Sequence, residues 1–319
     1  MSNNPRVSIV ILNWNGLSDT MECLNSLKNI NYDNYEVILV DNNSKNSEAK
    51  ILKDKFGNFI KLICNNRNYG FAEGNNIGIS AALKNGTDYV LCLNNDTVVE
   101  PNFLREMIKF ADNDVGMIGG IMINYYDQKK IDNEGILITK SGLSFSIKND
   151  NYKYLGPCGG AALYSTKMLR DIEIDGKYFD SDFFMYAEDV DLAFRGHLLG
   201  YKALKSEKSF VYHKISASSK SGSDFSCFYN QRNHIWLIAK NFPVGLIFRY
   251  GMYILLGQIT GFFVYLKRRK LKLFLKSKID AFKKIGLVFK KRNIIQKKIR
   301  ISNKEIRKLF DKRIFLIKY

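Results

Sequence analysis

Four short apolar runs, each followed by an amphipathic stretch, occupy the first third of this 319-residue chain and leave few folds open to it. Residues 7–12 (VSIVIL), 35–40 (YEVILV), 59–64 (FIKLIC) and 89–93 (YVLCL) are short and rich in β-branched residues, which predicts buried strands. Residues 17–30, 47–56, 73–85 and 102–111 carry apolar residues at helical spacing. This alternation predicts an α/β fold, a Rossmann-like and mostly parallel sheet with helices on both faces, whose ligands lie at the carboxyl ends of the strands. Residues 128–154 are polar and aperiodic, as hairpins and loops are; residues 159–164 form a further apolar segment, and a helical pattern begins near Glu188.

The formal net charge of +18 points to nucleic acid until it is mapped. Residues 267–319 hold 21 Lys/Arg against 3 Asp/Glu, whereas residues 1–266 hold 28 of each. A neutral body with a basic appendage fits an enzyme held at an anionic surface; a nucleic-acid-binding protein would need a basic recognition face. The character changes near residue 246, which divides the chain into a domain over 1–245 and a basic helical region over 246–319. In that region residues 250–266 (YGMYILLGQITGFFVYL) are uncharged and just long enough to span a bilayer. Beyond them Phe274, Ile279, Phe282, Leu287 and Phe289 recur among lysines, the pattern of helices lying in an anionic membrane interface. A packed helical subdomain with a solvated basic face is the alternative.

The five cysteines (Cys23, Cys64, Cys92, Cys158, Cys227) are scattered, with no C-x-x-C pair, which suits a reducing compartment. The first residues are polar and the run at 7–12 is too short for a signal peptide. The expected location is therefore the cytoplasmic face of a membrane, with peripheral attachment or one embedded helix near 250–266.

Polar residues follow the predicted strands. The first run ends in Asn13-Trp14-Asn15-Gly16 and the second in Asp41-Asn42-Asn43-Ser44; an Asp at such a tip can accept from a pyrimidine N3 or a ribose hydroxyl, though a plain turn and helix cap fits too. Glycines at 70, 74 and 78 recur every fourth residue through NYGFAEGNNIG. They permit close backbone approach, and a helix start there would offer free N–H groups to a phosphate; helix–sheet packing is the other use for them. The fourth run ends in Asn94-Asn95-Asp96, where a carboxylate beside a diphosphate could hold Mg²⁺ or Mn²⁺, with His213 as a second candidate ligand. Glu188, Asp189 and Asp191 crowd three carboxylates into four residues, an arrangement that a helix N-terminus, a cation or a substrate must offset. One of them can face a cleft as a general base while its neighbours brace the loop or bind an acceptor.

Taken in order, the segments VSIVILNWNG (7–16), VDNNS (40–44), NYGFAEGNNIG (68–78), LNNDTV (93–98), Gly159-Gly160, EDVDL (188–192), His213 and QRNHIWLIAKNF (231–242) resemble a family 2 glycosyltransferase of the GT-A fold, in its rhamnosyltransferase-like branch. The resemblance covers roughly residues 5–245. It implies that Asn13, Asn15 and Asp41 contact the base and ribose, and that Asn68, Gly70, Phe71 and Asn75 embrace the nucleotide. Asn94 and Asn95 would line the donor beside Asp96 in the family's D-x-D position, where Asn94 replaces the first aspartate. Asp96 and His213 would hold the divalent cation, and Gly159, Gly160 and Asp191 would border the sugar and acceptor. Asp189 matches the family's catalytic base, with Glu188 supporting the loop.

The implied reaction is inverting transfer of a sugar, with rhamnose the favoured guess, from a dTDP- or UDP-sugar to a saccharide or lipid-linked glycan in surface polysaccharide synthesis. A galactofuranosyl or other hexosyl transferase and a catalytically silent nucleotide-sugar-binding protein are the alternatives. A sugar-nucleotide pyrophosphorylase would need a basic, glycine-rich loop where residues 13–17 stand. No oligomeric state is implied.

Overall fold

The structure, a computed structural model, describes residues 4–149, 151–215 and 222–313. β1 (Val7–Asn13), β2 (Tyr35–Asp41), β3 (Ile60–Cys64) and β4 (Tyr89–Asn94) lie parallel in the order β3-β2-β1-β4. Their connections are α1 (Leu17–Leu27), α2 (Glu48–Phe56) and α3 (Gly70–Lys84). All four strands are therefore where the apolar runs predict them, and α3 begins three residues earlier than expected.

The chain then crosses to the other half of the sheet. β5 (Thr97–Val99), α4 (Phe103–Ile108), β6 (Val115–Asn124) and β7 (Ile131–Asn133) precede a hairpin of β8 (Gly135–Thr139) and β9 (Ser144–Ile147). β10 (Ala161–Ser165), α5 (Thr166–Ile172), α6 (Glu188–Leu198) and β11 (Lys202–His213) complete it. The sheet continues β4-β10-β6-β11-β5 with β7 on β6, and β10 and β5 run antiparallel to their neighbours. It is thus parallel in its first half and mixed in its second. Because β10 runs backward, its start, preceded by Gly159-Gly160, lies beside the carboxyl end of β4.

Alternation along β1 shows how the sheet is covered. Val7, Ile9 and Ile11 pack with Cys23 and Leu24 of α1, Leu52 of α2 and Leu104 of α4. Val10 points the other way, into a core with Ala72 and Ile79 of α3, Met168 of α5 and Leu192 of α6. The two faces follow from the two-residue period of a strand.

α7 (Asp224–Asn241) carries the C-terminal region: α8 (Val244–Lys267), α9 (Leu271–Lys283), α10 (Ile285–Lys297), α11 (Asn303–Arg307) and β12 (Phe310–Asp311). This region is not a loose tail. Leu246, Tyr250, Ile295, Ile306 and Phe310 join the main core, β12 pairs with β8, and Trp236 of α7 donates from Nε1 to the Ala281 carbonyl of α9 at 3.0 Å. The outer face of α8 is a different surface: Phe248, Met252, Leu255, Ile259 and Phe263 lie exposed at helical spacing, Phe248 at 83%. Among the described residues α8 is the one helix long and apolar enough to cross a membrane.

Candidate active site

The tips of β1 and β2 are tied together from within. Asn13, buried at the end of β1, donates from Nδ2 to Asp41 Oδ1 at 2.8 Å, Ser44 Oγ at 3.0 Å and Glu48 Oε2 at 3.1 Å, and its Oδ1 accepts from Thr20. Asp41 accepts at its other oxygen from the Ser44 N–H, and Asn15 Oδ1 accepts from the Lys45 N–H. Expected as a direct nucleotide contact, Asn13 instead positions the carboxylate beside it, because burial and four partners leave its amide nothing to offer a ligand. Asn42, which sequence reasoning passed over as a turn residue, is the second organiser. Its Nδ2 donates to Asn68 Oδ1 and the Gly70 carbonyl, and its Oδ1 accepts from Asn65 Nδ2 and the Tyr69 N–H, which fastens the 65–70 loop to β2.

The start of α3 corrects another expectation. Its first N–H groups are already taken: Gly70 donates to Asn68 Oδ1, and Phe71 and Ala72 both donate to the Phe184 carbonyl, at 2.9 and 3.2 Å. A phosphate finds no free helix terminus there. The glycines serve packing. Gly70 has φ +78°, and a Cβ on it would lie 2.6 Å from the Phe184 ring; one on Gly74 would meet Leu12, and one on Gly78 would meet Val10. Asn75 is buried and its Nδ2 donates to the Phe71 carbonyl one turn back in the helix.

Gly159-Gly160 is the hub of the cleft. The Gly160 carbonyl accepts from the Asn94 N–H at 2.9 Å, and a side chain at 160 would strike Asn94 Nδ2. On the other side the Gly159 N–H donates to Asp189 Oδ2 at 3.1 Å, and the Phe71 ring lies against the Gly159 backbone. Asp189, Asn94 and Phe71 therefore meet across two glycines that let them approach. Asn95 turns away, donating from Nδ2 to Thr20 Oγ1 of α1.

Asp96 and His213 come together at the far end of the same sheet edge, with Asp96 Oδ1 3.4 Å from His213 Nε2. His213 Nδ1 lies 2.6 Å from Asp132 Oδ2, a partner that sequence spacing could not reveal because β7 brings it there. A carboxylate behind one ring nitrogen orients the other outward, as metal-ligating histidines require. Burial alone would lower the His213 pKa, but the two carboxylates outweigh it and raise it to about 9. One carboxylate and one imidazole would suit a divalent ion that took its remaining ligands from a diphosphate and water. Among the described residues no third protein ligand joins them.

Glu188 and Asp189 begin α6. Asp189 Oδ1 accepts from the Val190 N–H at 2.8 Å; burial raises its pKa against the opposing pull of the Gly159 and Val190 amides. Glu188 is buried more deeply, its Oε2 has no hydrogen-bond partner, and burial with the charge of Asp189 drives its pKa well above 4.5. Asp191, expected near the acceptor, is a correction. It is fully buried and accepts from Arg195 Nε at 2.9 Å, Lys240 Nζ at 2.7 Å and Asn241 Nδ2 at 2.7 Å, so it anchors α6 to α7.

The sheet places Asp41, Asn94, Gly159, Asp96 and His213 along one edge, to which Asp189 is tied through the Gly159 N–H. The family model Glycosyl transferase family 2 matches residues 8–173. The chain belongs to glycosyl transferase family 2. It is 30% identical over 119 residues to the dTDP-rhamnosyl transferase RfbF of Shigella flexneri, covering 37% of this chain and 38% of that one. It is 27% identical over 196 residues to a poly-beta-1,6-N-acetyl-D-glucosamine synthase of Staphylococcus aureus, covering 58% and 44%. The matched region thus spans under half the length of these relatives. Two solved structures share the architecture: S. aureus TarS 1–349 with UDP-GlcNAc (TM-score 0.60, 16% identity, 95% of this chain and 89% of that one) and the mannosyltransferase PcManGT of Pyrobaculum calidifontis with GDP-Man and Mn²⁺ (TM-score 0.55, 17% identity, 88% and 76%). At this identity they establish the GT-A fold for this family 2 chain.

Proposed function

We propose that this chain is an inverting glycosyltransferase that moves a sugar from a nucleoside-diphosphate donor to a hydroxyl of a saccharide or lipid-linked glycan. The observation that carries the reading is the placement of Asp189: a carboxylate held by two backbone amides, at the edge shared by Asp41 and the Asp96–His213 pair. The acceptor oxygen attacks the anomeric carbon as the bond from that carbon to the diphosphate oxygen breaks. Asp189 takes the hydroxyl proton, and the diphosphate leaves with the electron pair from the face opposite the attack. A base with a raised pKa suits a proton transfer that comes late.

Asp96 and His213 would hold Mn²⁺ or Mg²⁺, which would stabilise the charge on the departing diphosphate. A dTDP- or UDP-sugar is the proposed donor, with a deoxyhexose such as rhamnose favoured by the likeness to RfbF. The proposed location is the cytoplasmic face of a membrane. Leu246, Tyr250, Gly257 and Tyr265 bury one face of α8 on protein, which favours a helix lying in the interface over one that crosses.

The test is release of nucleoside diphosphate from a panel of UDP- and dTDP-sugars with Mn²⁺, and with EDTA. Turnover of one donor that stops on chelation is expected. Silence on every donor with Mn²⁺ present would return the chain to a binding protein. Flotation with anionic but not neutral vesicles, weakened by Phe248→Ser, is expected for the membrane face; equal flotation with both removes its charge dependence.

A further inference from the structure

The carboxylates at the start of α6 hang from a segment that does not hold its own shape. Phe184, Tyr186 and Ala187 all have left-handed backbones, with φ of +63°, +70° and +66°, and none is glycine. Such residues persist only where the surroundings over-determine them. One face of the segment is held by α3, whose Phe71 and Ala72 N–H groups donate to the Phe184 carbonyl. On the other side α7 holds it, with Phe225 and Tyr229 packed on the Phe184 and Tyr186 rings and one amide reaching three of its carbonyls. Asn233, fully buried, donates from Nδ2 to the carbonyls of Phe183 at 3.1 Å, Met185 at 2.9 Å and Tyr186 at 2.7 Å. Its orientation is not free, because its Oδ1 accepts from Arg232 Nε at 2.9 Å while Arg232 Nη2 donates to the Asp182 and Phe183 carbonyls.

We propose that Asn233 is a positioning residue for the base: one amide gathers three carbonyls of the left-handed segment and so sets where α6 begins and where Asp189 stands against Gly159. Its two hydrogens, shared among three acceptors, tie the three carbonyls to one point on α7. The reading deepens the proposed reaction and rests on Asp189 as its base. Asn233 itself touches no reacting atom.

The test compares full-length wild type with Asn233→Asp, which keeps the shape but loses the donor, and Asn233→Ser, which keeps one donor. Two readouts are taken. Hydrogen exchange in wild type and variants follows the amides of residues 183–191 against those of β1 to β4. UDP affinity with Mn²⁺, donor KM and kcat follow the site. In Asn233→Asp the 183–191 amides are expected to exchange faster with the sheet unchanged, and kcat to fall about 100-fold, the scale of a misplacement of about 1 Å. UDP affinity and donor KM stay within about twofold of wild type by the same argument, since the lost contacts lie on the base side alone. Asn233→Ser falls between, and supplies the reading if Asn233→Asp does not fold. Unchanged exchange at 183–191 overturns the clamp, as does an unchanged kcat or a loss of UDP affinity equal to the loss of kcat. Exchange is read without turnover. A segment loosened in a protein whose wild type turns over no donor therefore refutes the assigned reaction while upholding the clamp.

Discussion

On the β1–β2 side of the cleft Asn13, Asp41 and Ser44 hold one another and Asn42 fastens the 65–70 loop, whereas on the α6 side the buried Glu188 stands beside the half-buried Asp189 and one Glu188 oxygen has no partner. The first side is preorganised by satisfaction: each polar group has somewhere to put its hydrogen bonds, so the loops are set before a ligand arrives. The second is preorganised by constraint, with left-handed residues and desolvated carboxyls kept in place by α3 and α7. Electrostatic strain of this kind raises a base's pKa toward its working range, and it collects where chemistry happens. Breaking one side should therefore cost binding or stability, and breaking the other should cost turnover.

The largest expected effect is on the α6 side. Asp189→Asn removes the proton acceptor and keeps one of the two backbone contacts, since its Oδ1 can still accept from the Gly159 N–H while the Val190 N–H loses its acceptor. The expected outcome is a loss of about 10³-fold in kcat, about 4 kcal/mol of transition-state stabilisation, with nucleotide affinity within about twofold. Steady-state kinetics beside calorimetric titration of UDP check it. Turnover within tenfold of wild type would remove Asp189 from the reaction.

A smaller effect is expected between the two sides, at the Asp96–His213 pair. Asp132→Asn leaves both proposed ligands in place but weakens the group that orients His213. Affinity for Mn²⁺, titrated with UDP present, should fall about 10- to 100-fold, with the thermal midpoint little changed. An unchanged affinity would mean that His213 does not serve the metal and that its tie to Asp132 is purely structural.

How much of this contrast the sequence shows depends on whether a residue's partner lies near in the chain or far. β1, β2 and β4 are legible because each is a continuous apolar run largely buried in the sheet, and β3, at its edge, because a short apolar run survives around Lys61. β6 is not, because Gly116, Gly119 and Gly120 dilute its pattern; they are there so that Met168, Pro157 and Ser209 can approach its backbone. β11 shows only its last apolar residues, since Lys202–His213 is largely polar. In the site, Asp189, Asp96 and His213 stand out as carboxylates and an imidazole at the ends of elements. Asp191 looks the same in sequence and is the opposite in kind, because its counter-charges are Arg195, one turn on in α6, and Lys240, supplied by α7. Asp132, Asn42 and Asn233 carry no local signal, since their partners lie 81, 23 to 28 and 47 to 50 residues away.

The smallest effect bears most directly on the comparison. Burial and the neighbouring Asp189 raise the Glu188 pKa well above 4.5, so the folded protein holds this proton to higher pH than the unfolded chain does. The stability that a raised pKa contributes is whole below the unfolded value and is lost as pH rises toward the folded one. Wild type should therefore lose stability from this site as pH rises above the ordinary glutamate value. Glu188→Gln cannot ionise and should not. At pH 5 the two proteins should melt together, and at pH 8 the variant should be more stable by about 1–2 kcal/mol, about 2–4 °C in Tm. Asp41→Asn should do the reverse on the satisfied side, because it sets a second amide donor against either Asn13 Nδ2 or the Ser44 N–H, and destabilises by about 1–3 kcal/mol at both pH values. Calorimetric scans at the two pH values separate the cases. If Glu188→Gln shows the same difference from wild type at both, Glu188 does not titrate in this window and the α6 side is not strained by charge.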